Sequence, residues 1–267
     1  MKGKKALSRK GLLLVLMTLL LSFAFGTTAM AASKTVNMKK DANGTLYYMG
    51  SAEGTVYHKI TVKKDGVLVI SGFAKTSSGS TRGVNVWLCN SKKKSLETRS
   101  AGNYIGSQMV ENFAYYGVKK GTYYIKVKNQ PYYCIAASVQ AVADKGASSK
   151  AKATTIKQNK TMKGIMPAGE SASKADWYKF KVTKKQVLGL KLQALGTGSF
   201  RFYLYGPSYK NGILIDTLLN TGGEYVSVNS RRAKIKVKPG TYYIKVVRGT
   251  GTSKKASGFY TVRWKLK

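Results

Sequence analysis

The heptapeptide Gly121-Thr122-Tyr123-Tyr124-Ile125-Lys126-Val127 returns letter for letter at Gly240 to Val246, 119 residues further on. The same order repeats around it. His58-Lys59-Ile60-Thr61-Val62 aligns with Tyr178-Lys179-Phe180-Lys181-Val182 at offset 120, Val84 to Leu88 with Phe200 to Leu204 at offset 116, and Tyr133-Cys134-Ile135 loosely with Phe259-Tyr260-Thr261. A chain that writes one unit twice is expected to fold it twice, and a period near 120 residues is too long for the stacked units of a solenoid. Two domains of ordinary size are expected, over 32–143 and 154–267, joined by a small, polar linker at 144–153.

Within each half the apolar residues recur with period two. Tyr178, Phe180 and Val182 alternate with Trp177, Lys179 and Lys181; Phe200, Phe202 and Leu204 with Arg201, Tyr203 and Tyr205; Tyr242, Ile244 and Val246 with Tyr243 and Lys245. Such alternation marks half-buried strands, and nothing after residue 31 sustains the 3.6-residue spacing of a helix. Lys238-Pro239-Gly240-Thr241 has the residues of a type II turn. The expected fold is all-β: two tandem antiparallel sandwiches or jelly rolls of about eight strands each.

The N-terminus is an address. Lys2, Lys4, Lys5, Arg9 and Lys10 precede an apolar run from Leu12 to Phe25, and Ala29-Met30-Ala31 supplies the small residues a signal peptidase reads. A run of fourteen residues falls short of the roughly 20 that span a bilayer, so residues 1–31 are expected to be a secretory signal cut between Ala31 and Ala32. The mature protein would be secreted, free or loosely held on the cell wall.

Charge then narrows the partners. The chain has 47 Lys+Arg, 10 Asp+Glu and one His, a net charge of +37; 236 residues and +32 remain once the leader, with five of the basic groups, is gone. That is far above the magnitude of about 2–8 that keeps a small domain soluble, and it points to an anionic partner. Residues 154–267 hold 23 basic and 4 acidic groups, a net +19 against +13 for 32–153, so the second half is expected to bind more strongly.

Asp176-Trp177-Tyr178-Lys179-Phe180-Lys181-Val182, Pro239-Gly240-Thr241-Tyr242-Tyr243-Ile244-Lys245-Val246 and Gly258-Phe259-Tyr260-Thr261-Val262 together resemble the bacterial pre-peptidase C-terminal domain, a secreted β-sandwich whose relatives include the collagen-binding modules of clostridial collagenases. The likeness covers 154–267 well and 33–143 less closely, Val56 standing where Asp176 does. It implies a non-catalytic module. Calcium, which the collagen-binding relatives hold through clustered acids, does not carry over, because Asp144 and Glu170 stand apart in this chain.

The residues themselves also argue against an enzyme. With His58 as the one histidine there can be no two-histidine metal site, and the scattered carboxylates form no paired-acid pattern. His58 falls on the inward parity of its strand and is expected to be packed and hydrogen-bonded. No cofactor or metal is expected. Cys89 and Cys134, both on outward parity by the alignment, either form the chain's one disulfide or stand as separate strand thiols.

The candidate ligand-binding residues are the outward aromatics and cations Tyr124, Lys126, Trp177, Lys179, Lys181, Arg201, Tyr203, Tyr205, Tyr243 and Lys245. Rings between cations can stack flat groups and hold anions; equally, tyrosine and lysine are good solvent-face strand residues. The expected function is a secreted, non-catalytic module adhering to an anionic polymer or cell-wall surface, with no obligate nucleic acid. Binding of a polysaccharide or an extracellular matrix protein through the aromatics is the alternative, and a secreted enzyme with an unrecognised site a third.

Overall fold

The computed structural model describes residues 33–76, 78–96, 103–105 (backbone), 113–218, 235–251 and 255–266. The expected signal and its cleavage point lie outside them, and among the described residues no helix is long and apolar enough to cross a membrane.

The strands, in chain order, are β1 (Lys34–Asn37), β2 (Lys39–Lys40), β3 (Leu46–Val62), β4 (Gly66–Lys75), β5 (Thr81–Arg82), β6 (Val84–Cys89), β7 (Asn103–Ile105), β8 (Phe113–Val118), β9 (Gly121–Ala141), β10 (Thr154–Thr155), β11 (Thr161–Met166), β12 (Ala175–Val182), β13 (Gln186–Gly196), β14 (Phe200–Gly206), β15 (Tyr209–Leu218), β16 (Ile235–Val237), β17 (Gly240–Arg248) and β18 (Gly258–Leu266). The fold is all-β, as the alternation predicts. The chain divides into two compact units, one of residues up to Lys64 with Leu68–Ala114 and Lys119–Gln140, the other of Asp65–Val67, Tyr115–Val118 and Ala141–Lys267.

In the second unit a five-stranded sheet, β10-β12-β17-β14-β15, and a four-stranded sheet, β11-β18-β13-β16, enclose one core. The inward members of each alternating run (Tyr178, Phe180, Val182, Phe200, Phe202, Leu204, Tyr242, Ile244, Val246) are all buried. Phe180 stacks between Tyr242, 5.8 Å away, and Trp264, 4.5 Å away, and the Trp264 indole donates to the Ile156 carbonyl at 2.9 Å. Arg248, also buried, donates to the carbonyls of Ala256, Ser171 and Pro167 at 2.9, 3.1 and 2.8 Å and meets Glu170 at 3.4 Å.

Strands β1 to β9 join in one nine-stranded sheet, of order β1-β3-β9-β4-β5 with β2, β6, β7 and β8 off this path, and two of its strands each supply two successive ladders. The C-terminal part of β3, from Thr55 to Val62, pairs with Lys128 to Gly121 of β9, while its N-terminal part, Leu46 to Gly50, pairs with Ala137 to Tyr133 further along the same strand. Register shifts fall between Gly50 and Thr55, where Gly54 (φ 80°) and Asn129 (φ 46°) take the left-handed conformation. Bulges of this kind let a strand bend from one layer to the next.

Two details depart from expectation. The edge pairs β1–β3 and β10–β12 are parallel. Parallel neighbours require a crossover, and in the second unit β11, which lies in the other sheet, provides it. The second departure is the alignment near Tyr133: Gly50 faces Tyr133 as Gly164 faces Tyr260, so Tyr133 corresponds to Tyr260, one residue later than the letters suggest. Their hydroxyls agree, Tyr133 meeting His58 at 2.6 Å and Tyr260 meeting Tyr178 at 2.8 Å.

Candidate functional site

Strand register assembles the outward residues of the second unit into a grid. Trp177 lies opposite Lys245 and Lys245 opposite Tyr203; one row on, Lys179 lies opposite Tyr243 and Tyr243 opposite Tyr205. Lys181 continues β12 beside Thr241, and Arg201 continues β14 beside Val247. Eight of the ten predicted residues therefore share one face of the five-stranded sheet. On it, Lys179, Lys245 and Arg201 step diagonally across β12, β17 and β14, with rings on either side.

The rings and cations touch. Trp177 and Tyr205 lie with centroids 5.4 Å apart, and the Lys245 ammonium is 5.3 Å from the Trp177 centroid. The Arg201 guanidinium lies 5.4 Å from Tyr203. Lys150 stands 4.9 Å from Tyr243 and 5.4 Å from Tyr205. Each contact stabilises by about 0.5–1 kcal/mol at an exposed site and holds a flexible side chain in place.

Tyr124 and Lys126, the remaining two predicted residues, occupy the matching face of the first unit. Tyr57 lies opposite Lys126 and Lys59 opposite Tyr124, with Trp87 and Cys89 of β6 completing the rows. Lys126 stands 4.8 Å from the Trp87 ring. Asn85 takes the place of Arg201, so the cation diagonal is shorter here.

Cys89, outward by parity, is buried, because the turn Asn90–Ser95 folds back over it; Ser95 bridges to Cys89 and the Leu96 amide donates to the Leu88 carbonyl. Cys134 is buried too. Neither is disulfide-bonded, and burial pushes the Cys134 thiol up to about 12. The bridge left open by the sequence is not formed in this structure.

The segment 144–153, expected as a linker, runs along β12. Ala147 exchanges two backbone hydrogen bonds with Trp177, and Ala153 is buried. It delivers Lys150 to the aromatic face. Composition hid this residue, since small polar runs read as linker whether or not they dock on an edge strand.

His58 is sealed in the first unit's core, its Nε2 bonded to the Tyr133 hydroxyl at 2.6 Å and its ring 4.4 Å from Tyr48. Burial lowers its pKa to about 3, so it is neutral at physiological pH. Its counterpart in the second unit is a hydroxyl chain: Tyr260 donates to Asp176 Oδ2 at 2.6 Å and therefore accepts from Tyr178 at 2.8 Å. Neither group opens onto the outward faces. Among the described residues no three His, Cys, Asp or Glu side chains gather to hold a metal ion.

No family model and no curated protein matches the chain. Among solved structures, it is similar to the pre-peptidase C-terminal domain of a collagenase from Bacillus anthracis, at 21% identity and a TM-score of 0.31, over 43% of this chain and 95% of that one. It is also similar to PliG, a periplasmic inhibitor of g-type lysozyme from Salmonella Typhimurium (18%, TM-score 0.30, 43% and 98% covered). A tandem pair of CBM22 domains of Xyn10C from Paenibacillus barcinonensis matches at 8% and a TM-score of 0.28, over 85% of this chain and 88% of that one.

Proposed function

We propose that this chain is an exported, non-catalytic binding protein whose aromatic and basic sheet faces hold an anionic extracellular polymer, with phosphate-rich cell-envelope polymers as the favoured partner. One observation carries the reading: on the five-stranded sheet of the second unit, Lys179, Lys245 and Arg201 form a diagonal of positive charge set among Trp177, Tyr203, Tyr205 and Tyr243. The outer face of the four-stranded sheet is the natural comparison. It carries Lys163, Lys191, Arg263 and Lys265 with Gly189, Gln193 and Thr261 between them, and the one ring among its described residues, Phe259, lies opposite Ile165 and Leu195, in a row without cations. Equal charge without ordering rings leaves long lysine side chains free, and fixing them on a ligand then costs rotamer entropy.

The test replaces equal charge on the two faces. In the mature protein, K179Q/K245Q/R201Q should lower the salt concentration at which the chain leaves immobilised heparin or purified wall polymer, and should flatten the salt dependence by about three. K191Q/R263Q/K265Q should do neither. If both triple variants lose binding equally, bulk charge and not this face is responsible. Binding that persists in high salt and is lost in Trp177→Ala or Tyr243→Ala would favour an uncharged polysaccharide or a matrix protein instead.

A further inference from the structure

The two units place a lysine over the same tyrosine by different routes. Tyr124 and Tyr243 occupy the same position of the repeated heptapeptide. In the first unit the ammonium over that ring comes from Lys93, in the turn after β6; it lies 5.6 Å from Tyr124 and 5.0 Å from Tyr57, and donates to Thr35 Oγ1 at 2.7 Å. In the second unit it comes from Lys150, in the segment before β10, 4.9 Å from Tyr243 and 5.4 Å from Tyr205. The two lysines are not repeats of one another: Lys93 lies 31 residues before Tyr124, and Lys150 lies 93 before Tyr243. In each unit a second lysine, Lys126 or Lys245, stands over the adjoining indole, Trp87 or Trp177.

We propose that Lys93 and Lys150 are ligand-binding residues of two similarly built anion seats, one on each unit, each taking a sulfate or phosphate group of a linear polyanion. An ammonium resting on a ring keeps part of its shell open to a ligand oxygen, and its side chain is already ordered before the ligand arrives. On a dense immobilised polyanion each seat adds its own contact, so that loss of either lowers the retention of the whole chain. The inference rests on the polyanion reading above and adds to it two residues that lie outside the strands.

The experiment uses the whole mature chain on immobilised heparin, with polyphosphate as competitor. Lys93→Gln and Lys150→Gln should each weaken binding roughly three- to tenfold and lower the salt slope by about one. Lys191→Gln, which removes the same charge from the four-stranded sheet, where Lys191 lies opposite Arg263 and not a ring, should match the parent. Lys150→Arg should retain binding, since arginine keeps both the charge and the stacking. Thermal midpoints within a degree or two of the parent show that the fold is intact. If K93Q and K150Q elute with K191Q while the parent binds well, the two seats are wrong and the sheet-face reading stands. A parent chain that fails to bind either polyanion overturns both.

Discussion

Gly240 lies so close to Pro207 that a Cβ on it would come within 2.5 Å of the proline Cγ, and its φ of 142° is one that L side chains rarely adopt. Its partner in the repeat, Gly121, has neither restriction: a Cβ there would meet only the Tyr123 ring, at 3.8 Å. Identical letters thus carry different constraints. Gly240→Ala should cost about 2–4 kcal/mol and lower the unfolding midpoint by several degrees, whereas Gly121→Ala should be neutral or slightly stabilising. Calorimetry on the two single variants decides it, and equal effects would contradict the geometry.

Acid should destabilise the first unit through His58. Its folded pKa is lowered to about 3 from an ordinary 6.5, so below pH 6.5 the unfolded chain takes up a proton that the native chain refuses. Stability contributed by the neutral ring is full above pH 6.5 and is lost as pH falls toward 3, with a slope of about 1.4 kcal/mol per pH unit. Urea midpoints measured from pH 7 to pH 4 should show this fall, and His58→Gln should flatten it. An unchanged slope in the variant would mean that carboxylates alone set the acid limit.

Removing the buried guanidinium should also be costly. Arg248→Met leaves the carbonyls of Ala256, Ser171 and Pro167 without this donor, at a cost on the order of 2–4 kcal/mol. Arg248→Lys, which cannot fork toward three acceptors, should recover only part of that loss. Full recovery by lysine would show that charge opposite Glu170, and not the fork, is what matters.

Trypsin should spare Lys145, Lys150 and Lys152. The Lys145 amide donates to the Lys163 carbonyl and Ala147 is bridged to Trp177 on both sides, so the segment cannot extend into a protease cleft without opening the edge of β12. Mass spectrometry of early digestion products tests this, and first cleavage at any of these three lysines would show a looser attachment.

What the sequence could show was governed by period. Trp177, Lys245 and Tyr203 alternate with residues that fill the core, so their shared face is readable from letters alone, and the register supplies only which row each occupies. Residues placed by chain turns carry no such signal. Lys93 and Lys150 reach the rings from non-repeating segments, and Cys89 keeps its outward parity yet is covered by the turn that follows it. Arg248 shares the inward parity of Tyr242, Ile244 and Val246, but a charged residue at a strand end reads as exposed until the loop carbonyls that receive its guanidinium are known. Parity predicts which way a side chain leaves the strand, not what the next loop lays over it.

The shared strands of the first unit alter how that sandwich would meet a pull. In the second unit separate strands form the two layers, β12 and β17 in one and β11 and β18 in the other. In the first, β3 and β9 run through both corresponding ladders as unbroken backbone. Tension entering one of those ladders passes into the other without a loop between them that could straighten first. The two ladders of β3 and β9 would then come apart as one cooperative event, whereas β12–β17 and β11–β18 can part separately.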